Sequence, residues 1–308
     1  MHVAMQQLIA DGRPFVTDDG VMSPKQIRLA LQSGTVRRLL RGVFVDARVP
    51  EDRDLRVLAV ERIRPPHGVA CSETAAWVMG LDVHPPGRRF DMTPTFLVPH
   101  GETRIVRSGI DCRQARLGSH DVTEDFGTFS TTPVRTASDL LRRQYRPYAL
   151  ASADQMTRSG LVDLGELSSV VMHLKGYPGI RQARSLVGLV DARAESPGES
   201  WTRLRLHDAG FPPPELQVEV ADHDGVIRRI DLAYEVQKVA IEYDGSAHHS
   251  ALSDLAWDEE RRDDLSVQWG WRWVLARRSS IFGQDATFEE AVGAHLGLVP
   301  LRRWWGHL

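Results

Sequence analysis

Arg229-Ile230-Asp231-Leu232-Ala233-Tyr234, followed by Val239-Ala240-Ile241-Glu242-Tyr243-Asp244-Gly245, is the stretch that decides how this chain reads. Both runs are short, apolar-rich and β-prone, so both read as strands. Side chains alternate across a strand, so Ile241 and Tyr243 face one way while Glu242 and Asp244 face the other, roughly 6–7 Å apart. A core takes the first pair. The carboxylates are left on a face where a packed sheet does not carry unpaired charge. A divalent cation with hard oxygen ligands is one simple way to neutralise them.

Working outward, Ala194-Glu195-Ser196-Pro197-Gly198 has the turn residues of a linker. Glu199 to Gly210 then reads as a helix and Glu215–Val220 as a strand, with a turn at Ala221–Gly225 before the two strands above. A polar helix over 253–268, a strand at Trp271–Ala276 and a helix at Ala286–Leu296 follow. Helix, three mostly antiparallel strands, helix, strand, helix is an α/β sandwich. Glu199 would reach in from its helix toward Asp231 and Glu242. Those three are the candidate metal ligands, with Asp231 central, and Asp244 could bind directly or through water. Phosphodiester cleavage needs an activated water and charge neutralisation, which one or two Mg²⁺ ions (or Mn²⁺) supply where carboxylates converge. His248 and His249 follow the second strand and could act as general base or touch phosphate. Ordinary solvated carboxylates are the competing reading for each acid taken singly.

At the other end, Ser23-Pro24 gives an N-cap with proline in the first turn. Ile27, Leu29, Ala30 and Leu31 make an apolar stripe, and Ser33-Gly34 ends that helix. A second helix is expected over Thr35–Leu40, then a strand over Arg41–Val45. Lys25, Arg28, Arg37, Arg38 and Arg41 form a basic run without an acid among them. Helix, turn, helix, strand is the order of a winged helix-turn-helix. Its second helix would enter the major groove, with Arg37, Arg38 and Arg41 near phosphates or guanine edges. A solvated charged face is the plainer alternative.

Between the ends, helices are expected at Leu55–Arg64, Ser72–Met79, Val134–Arg143, Pro147–Ser159 and Leu164–Leu174. Strands are expected at Thr95–Pro99 and Thr103–Val106. The 308 residues suffice for more than one domain, and 26% charged residues mark a globular chain. A formal net charge of −3 argues against coating nucleic acid through bulk basicity, though not against a local basic patch. Cys71 and Cys112 form neither a CxxC pair nor a zinc spacing, so they read as thiols in a reducing cytoplasm. Neither a signal peptide nor an apolar run of membrane length is expected.

Several pieces of the last third carry a family resemblance. They are Glu-Ser-Trp-Thr-Arg-Leu-Arg-Leu from 199, Gly-Phe-Pro-Pro-Pro from 210, Arg-Ile-Asp-Leu-Ala-Tyr from 229, Ile-Glu-Tyr-Asp-Gly-Ser-Ala-His-His from 241, and Asp-Glu-Glu-Arg-Arg-Asp-Asp-Leu from 258. Together they resemble the very-short-patch-repair (Vsr) branch of the PD-(D/E)XK nucleases. That likeness implies a restriction-endonuclease-like fold with Asp231 and Glu242 as the motif acids. Asp244 stands where the motif has lysine, which leaves open a module that binds without cutting; His248 is the substitute the branch suggests. Arg261 and Arg262 read as phosphate contacts or as partners of Asp258 and Glu259.

The N-terminal run from Met22 to Val45, with Ala70-Cys71-Ser72-Glu73-Thr74-Ala75-Ala76-Trp77 and Thr131–Leu140, resembles AbiEi-family antitoxins. That likeness implies operator binding beside a nucleotidyltransferase toxin. The combined expectation is an α/β (α+β) chain: a winged helix-turn-helix at 1–50, a mixed α/β connecting domain at 51–194 and a nuclease-like sandwich at 195–308. It acts either as a cytoplasmic Mg²⁺-dependent endonuclease or as a noncatalytic DNA-binding antitoxin. DNA is the partner in both, and a homodimer is compatible with either.

Overall fold

The fold is mixed α/β, with three sheets. The computed structural model describes residues 12–85, 92–104, 109–221, 225–245, 269–301 and 305. They fall into two compact units, Met1–Arg142 and Arg143–Leu308.

The first unit opens with β1 (Phe15–Val16), a 3-10 turn (Thr17–Asp19) and α1 (Pro24–Gln32). The expected cap is present: Ser23 Oγ accepts from the Gln26 N–H, and the Gln26 side chain accepts from the Ser23 N–H in return. Next come β2 (Val36–Leu40) and β3 (Val43–Asp46), which close a sheet of order β1-β3-β2. The helix expected over Thr35–Leu40 is therefore a strand. Gly34, at φ +70°, ends α1, and Gly42, at φ +84°, turns the chain so that Val36–Leu40 pairs antiparallel with Val43–Asp46. The pairing buries Val36, Leu39 and Leu40 along one hairpin, which outweighs the helix propensity of Arg-Arg-Leu-Leu.

After α2 (Arg53–Glu61) the chain lays down β4 (Val69–Ala70), α3 (Ser72–Val78), β5 (Thr95–Pro99), β6 (Asp111–Ala115), β7 (Val122–Thr123), β8 (Ser130–Thr131) and α4 (Pro133–Arg143). The second sheet has order β6-β5-β4-β8-β7. The partner of β5 is β6 rather than a strand at Thr103–Val106, of which residues 105 and 106 lie outside the described residues. Leu39, Leu40, Val43 and Val45 of the hairpin share one core with Leu55, Val60, Phe96 and Val98. Phe15, Met22, Ile27, Ala30, Val36 and Phe44 form a second cluster within residues 15–44. Cys71 and Cys112 are buried free thiols, and burial pushes Cys71 up to about 12.

The second unit holds α5 (Arg146–Arg158), α6 (Leu164–His173), α7 (Ile180–Val187), α8 (Pro197–Asp208), β9 (Glu215–Ala221), β10 (Ile227–Tyr234), β11 (Val239–Asp244), β12 (Arg272–Arg277), α9 (Arg278–Phe282) and α10 (Thr287–Leu296). Its sheet has order β12-β11-β10-β9, antiparallel except for the parallel β11–β12 pair. Of the linker expected at Ala194–Gly198, Ala194–Ser196 are non-helical and Pro197-Gly198 begin α8. Ser196 caps it by accepting from the Glu199 N–H at 3.2 Å, and Pro197 takes the first position, where no donor is needed. Tyr148, Ala151 and Ala194 share a core with Trp201, Leu232 and Ile241. No helix among the described residues is long and apolar enough to cross a membrane.

Candidate nucleic-acid interface and acidic site

In the first unit, the five basic residues separate by environment. Lys25 and Arg28 are exposed on α1, and so is Gln32. Leu29, expected in the apolar stripe, is 55% exposed beside them. Residues 25, 28, 29 and 32 are spaced i, i+3, i+4 and i+7, so they line a single helical face. The opposite face, Ile27 and Ala30, packs on Phe15, Met22, Val36 and Phe44. That i, i+3, i+4, i+7 spacing is present in the sequence and escapes a reading that counts Leu29 as core.

The arginines of the hairpin are more constrained. Arg37 donates to Glu51 Oε2 at 3.1 Å and to the Val49 carbonyl at 2.9 Å. Arg38 is half-buried, its guanidinium 6.0 Å from the Phe44 ring centroid. Arg41 is exposed at the hairpin turn, where its backbone N–H donates to the Met92 carbonyl at 3.1 Å and its Nη1 to Thr93 Oγ1 at 3.4 Å. The structure thus leaves Lys25, Arg28 and Arg41 presented to solvent and commits Arg37 to holding the hairpin against Val49 and Glu51.

In the second unit, three of the four acids have distinct settings. Glu199 is 4% exposed at the third position of α8. Its Oε2 accepts from the Glu195 N–H at 2.9 Å and from Gln217 Nε2 at 2.7 Å. A carboxylate there also complements the positive end of the helix. Glu242 is 7% exposed on β11. Ile241 and Tyr243 pack on the α8 side, as their alternation requires. Asp244 is half-buried, and its Oδ2 accepts from Arg277 Nε at 3.1 Å. Its charge is met by an arginine of the neighbouring strand, with no cation required.

Asp231 is half-buried at an irregular point of the sheet. The β10–β11 pairing runs from Tyr234↔Val239 to Leu232↔Ile241 and ends there, one residue short of Asp231 on one strand and of Glu242 on the other. Ile230 clusters with Ala233 and Ala240, whereas Leu232 and Tyr234 belong to the other core. Strict alternation is therefore broken at Asp231. Across on β9 the matching position is Gln217, whose φ of +54° is left-handed in a residue with a side chain. The irregularity falls at the same level of both strands.

Among the described residues, no group of three or more His, Cys, Asp or Glu side chains is placed to hold a metal ion. His248, His249, Arg261 and Arg262 lie outside the described residues. Sequence reasoning missed Gln217 and Arg277, which contact Glu199 and Asp244 from other strands. Only the pairing of the strands brings them there.

Comparison with known proteins places the chain. Residues 68–189 match the AbiEi antitoxin C-terminal domain. That span runs from the end of the first loop after α2 to the end of α7, and stops short of the four-stranded sheet. The chain is 30% identical over 277 residues to the uncharacterized protein Rv2248 of Mycobacterium tuberculosis (strain ATCC 25618 / H37Rv). It is equally similar to the uncharacterized protein MT2308 of strain CDC 1551 / Oshkosh. In both cases the alignment covers 89% of this chain and 97% of the relative. The chain therefore belongs to the family of these two mycobacterial proteins, and its middle matches the AbiEi antitoxin C-terminal domain.

Proposed function

We propose that this protein is a noncatalytic DNA-binding regulator of the antitoxin type. The observation that carries the reading is the exposed stripe of Lys25, Arg28, Leu29 and Gln32 on α1, in a chain that also matches an antitoxin domain. The reading element is α1 rather than the segment Thr35–Leu40. Set in the major groove, Lys25 and Arg28 reach phosphates or guanine edges, and Leu29 offers apolar contact to a thymine methyl. The β2–β3 hairpin is the wing, and Arg41 at its turn lies against the backbone. Its partner in this reading is a nucleotidyltransferase toxin, and a homodimer would match a palindromic operator. Gel shifts and footprinting on the DNA upstream of its own gene test it. The wild type should protect a discrete site, and Lys25→Ala/Arg28→Ala should weaken binding by at least about tenfold. A wild type that shifts no DNA overturns the reading.

A second reading is a metal-dependent DNA endonuclease. The topology favours it: a helix, three antiparallel strands and a fourth parallel to the third, with Asp231 and Glu242 on adjacent strands and Glu199 buried in the first turn of the helix. Mg²⁺ or Mn²⁺ would be its cofactor. The described side chains do not assemble a three-ligand set, so no hydrolytic step is derived through the ion. Plasmid and oligonucleotide substrates with Mg²⁺, Mn²⁺ or EDTA decide it: cleavage by the wild type that Asp231→Ala and EDTA both abolish would displace the regulator.

A further inference from the structure

The helix and three strands at the start of the chain enclose more space than their side chains fill. A cavity of about 400 Å³ lies between the end of α1 and the β1-β3-β2 sheet. Small molecules bind in clefts of roughly 300–1,000 Å³. Phe15, Met22 and Val36 wall this one, with Ala30 of α1, and all four belong to the core cluster of residues 15–44. A closed core packs such space with side chains. Here it stays open, bordered by the exposed residues Arg13 and Arg48.

The charged residues of the cavity do not cancel. Arg48 grips Asp46 side-on, Nε to Oδ1 at 3.1 Å and Nη2 to Oδ2 at 2.9 Å. Those bonds hold the Asp46 carboxyl below its usual range, so it stays ionised and Arg48 neutralises it. Arg13 lines the same cavity and has no hydrogen-bond or ion-pair partner among the described residues. Two guanidinium groups against one carboxylate leave a surplus positive charge beside an apolar wall. A guanidinium fork matches the two oxygens of a carboxylate. The Phe15 ring and the Met22 thioether are favourable neighbours for a flat aromatic body.

We infer that this cavity is a binding site for a small aromatic carboxylate, its ring against Phe15 and Met22 and its carboxylate on Arg13. The site lies in the unit that carries α1, and Ala30 and Thr35 at the end of that helix border it. Binding there does not depend on whether the chain binds or cuts DNA.

The test is isothermal titration calorimetry of the full chain with naphthoate and with naphthamide, which keeps the ring system and lacks the charge. Naphthoate should bind with a dissociation constant of about 1 mM or tighter, as a ligand of its size does at ordinary efficiency. Naphthamide should bind about tenfold or more weakly, the usual loss with a charge-assisted hydrogen bond. Arg13→Ala should bring naphthoate down to the level of the amide and leave the amide unchanged, and Arg13→Lys should restore part of the difference. Ala47→Leu, which adds bulk to the cavity wall, should remove binding of both. Equal affinity for acid and amide overturns the assignment of an anion. Naphthoate that fails to bind at several times about 1 mM, or binds both Arg13→Ala and Ala47→Leu as tightly as the wild type, overturns the site. Neither result touches the DNA-binding reading, which gel shifts decide separately.

Discussion

Tyr243 occupies the space that a side chain on Gly198 would need: a β-carbon at Gly198 would lie 2.1 Å from Tyr243 Cδ1. This contact sets how closely the first turn of α8 approaches β11, and so where Glu199 sits relative to the sheet. The Tyr243 ring also packs edge-on against Trp201, with centroids 5.8 Å apart. Alanine at 198 gains a little helix propensity, at most about 1 kcal/mol. Forcing a methyl into an aromatic ring of a filled core costs typically about 1–3 kcal/mol, and the overlap here is severe. Gly198→Ala should therefore lower the urea midpoint. Adding Tyr243→Ala should cost less in that background than in the wild type, because the clash is then gone. Equal costs in the two backgrounds would show that the helix relaxes away from the ring.

Lys25 and Arg28 should behave unlike Arg37, although the sequence groups them. The first two make no described contact that a truncation would break. Arg37 holds Glu51 and the Val49 carbonyl. Arg37→Ala should cost roughly 1–2 kcal/mol of stability, the usual worth of such bonds. Its DNA affinity, measured well below the melting transition, should stay near the wild-type value. Lys25→Ala/Arg28→Ala should melt like the wild type and bind DNA about tenfold or more weakly. Thermal melts alongside anisotropy on the same samples separate the two behaviours.

The contrast between those residues shows what could be read from the chain alone. Residues 229–234 and 239–244 were legible as strands because both runs are short, apolar-rich and β-prone, with turn glycines at 225 and 245. The cap at Ser23-Pro24 was legible because capping chemistry is local. Residues 35–40 were not. Their pairing with Val43–Asp46 depends on the turn at Arg41-Gly42, and a window centred on Arg-Arg-Leu-Leu carries no sign of it. The same limit hid Gln217 and Arg277. Glu199, Asp231, Glu242 and Asp244 are visible as acids, but Gln217 on Glu199 and Arg277 on Asp244 come from β9 and β12, 18 and 33 residues away in sequence. Ser196-Pro197 misled in another way, since serine then proline punctuates both a linker and a helix start.

Asp208 links folding of the second unit to pH. Burial, the largest single influence, pushes its carboxyl up, but the Arg146 guanidinium, the Trp305 indole N–H and His207 together hold it below its usual value. Trp305 Nε1 donates to its Oδ2 at 2.8 Å, and Arg146 bonds the same oxygen. A depressed folded pKa gives stability that is present above the unfolded value, about 3.9, and is lost as pH falls through the folded one. The melting temperature should hold steady from pH 7 to 5 and fall below about pH 4. Asp208→Asn should cost roughly 1.5–3 kcal/mol at pH 7, as for hydrogen bonds to a charged group, and should flatten part of the acid decline. An unchanged acid limb in that variant would assign the decline to other carboxylates.

Divalent metal should leave the thermal stability of the protein nearly unchanged. Glu199 already accepts two hydrogen bonds through one oxygen, and Asp244 is paired with Arg277. Mg²⁺ is reluctant to shed water and is held weakly by one or two carboxylates without substrate phosphates. A site that bound it with a dissociation constant of about 1 mM would contribute about 1.4 kcal/mol at 10 mM, a shift of a few degrees that a melting curve resolves. The expected result is a coincidence of curves in EDTA and in 10 mM Mg²⁺ or Mn²⁺. A rise of several degrees in the wild type that Asp231→Asn removes would mean that the acids close around an ion, and would favour the endonuclease over the regulator before any substrate is tried.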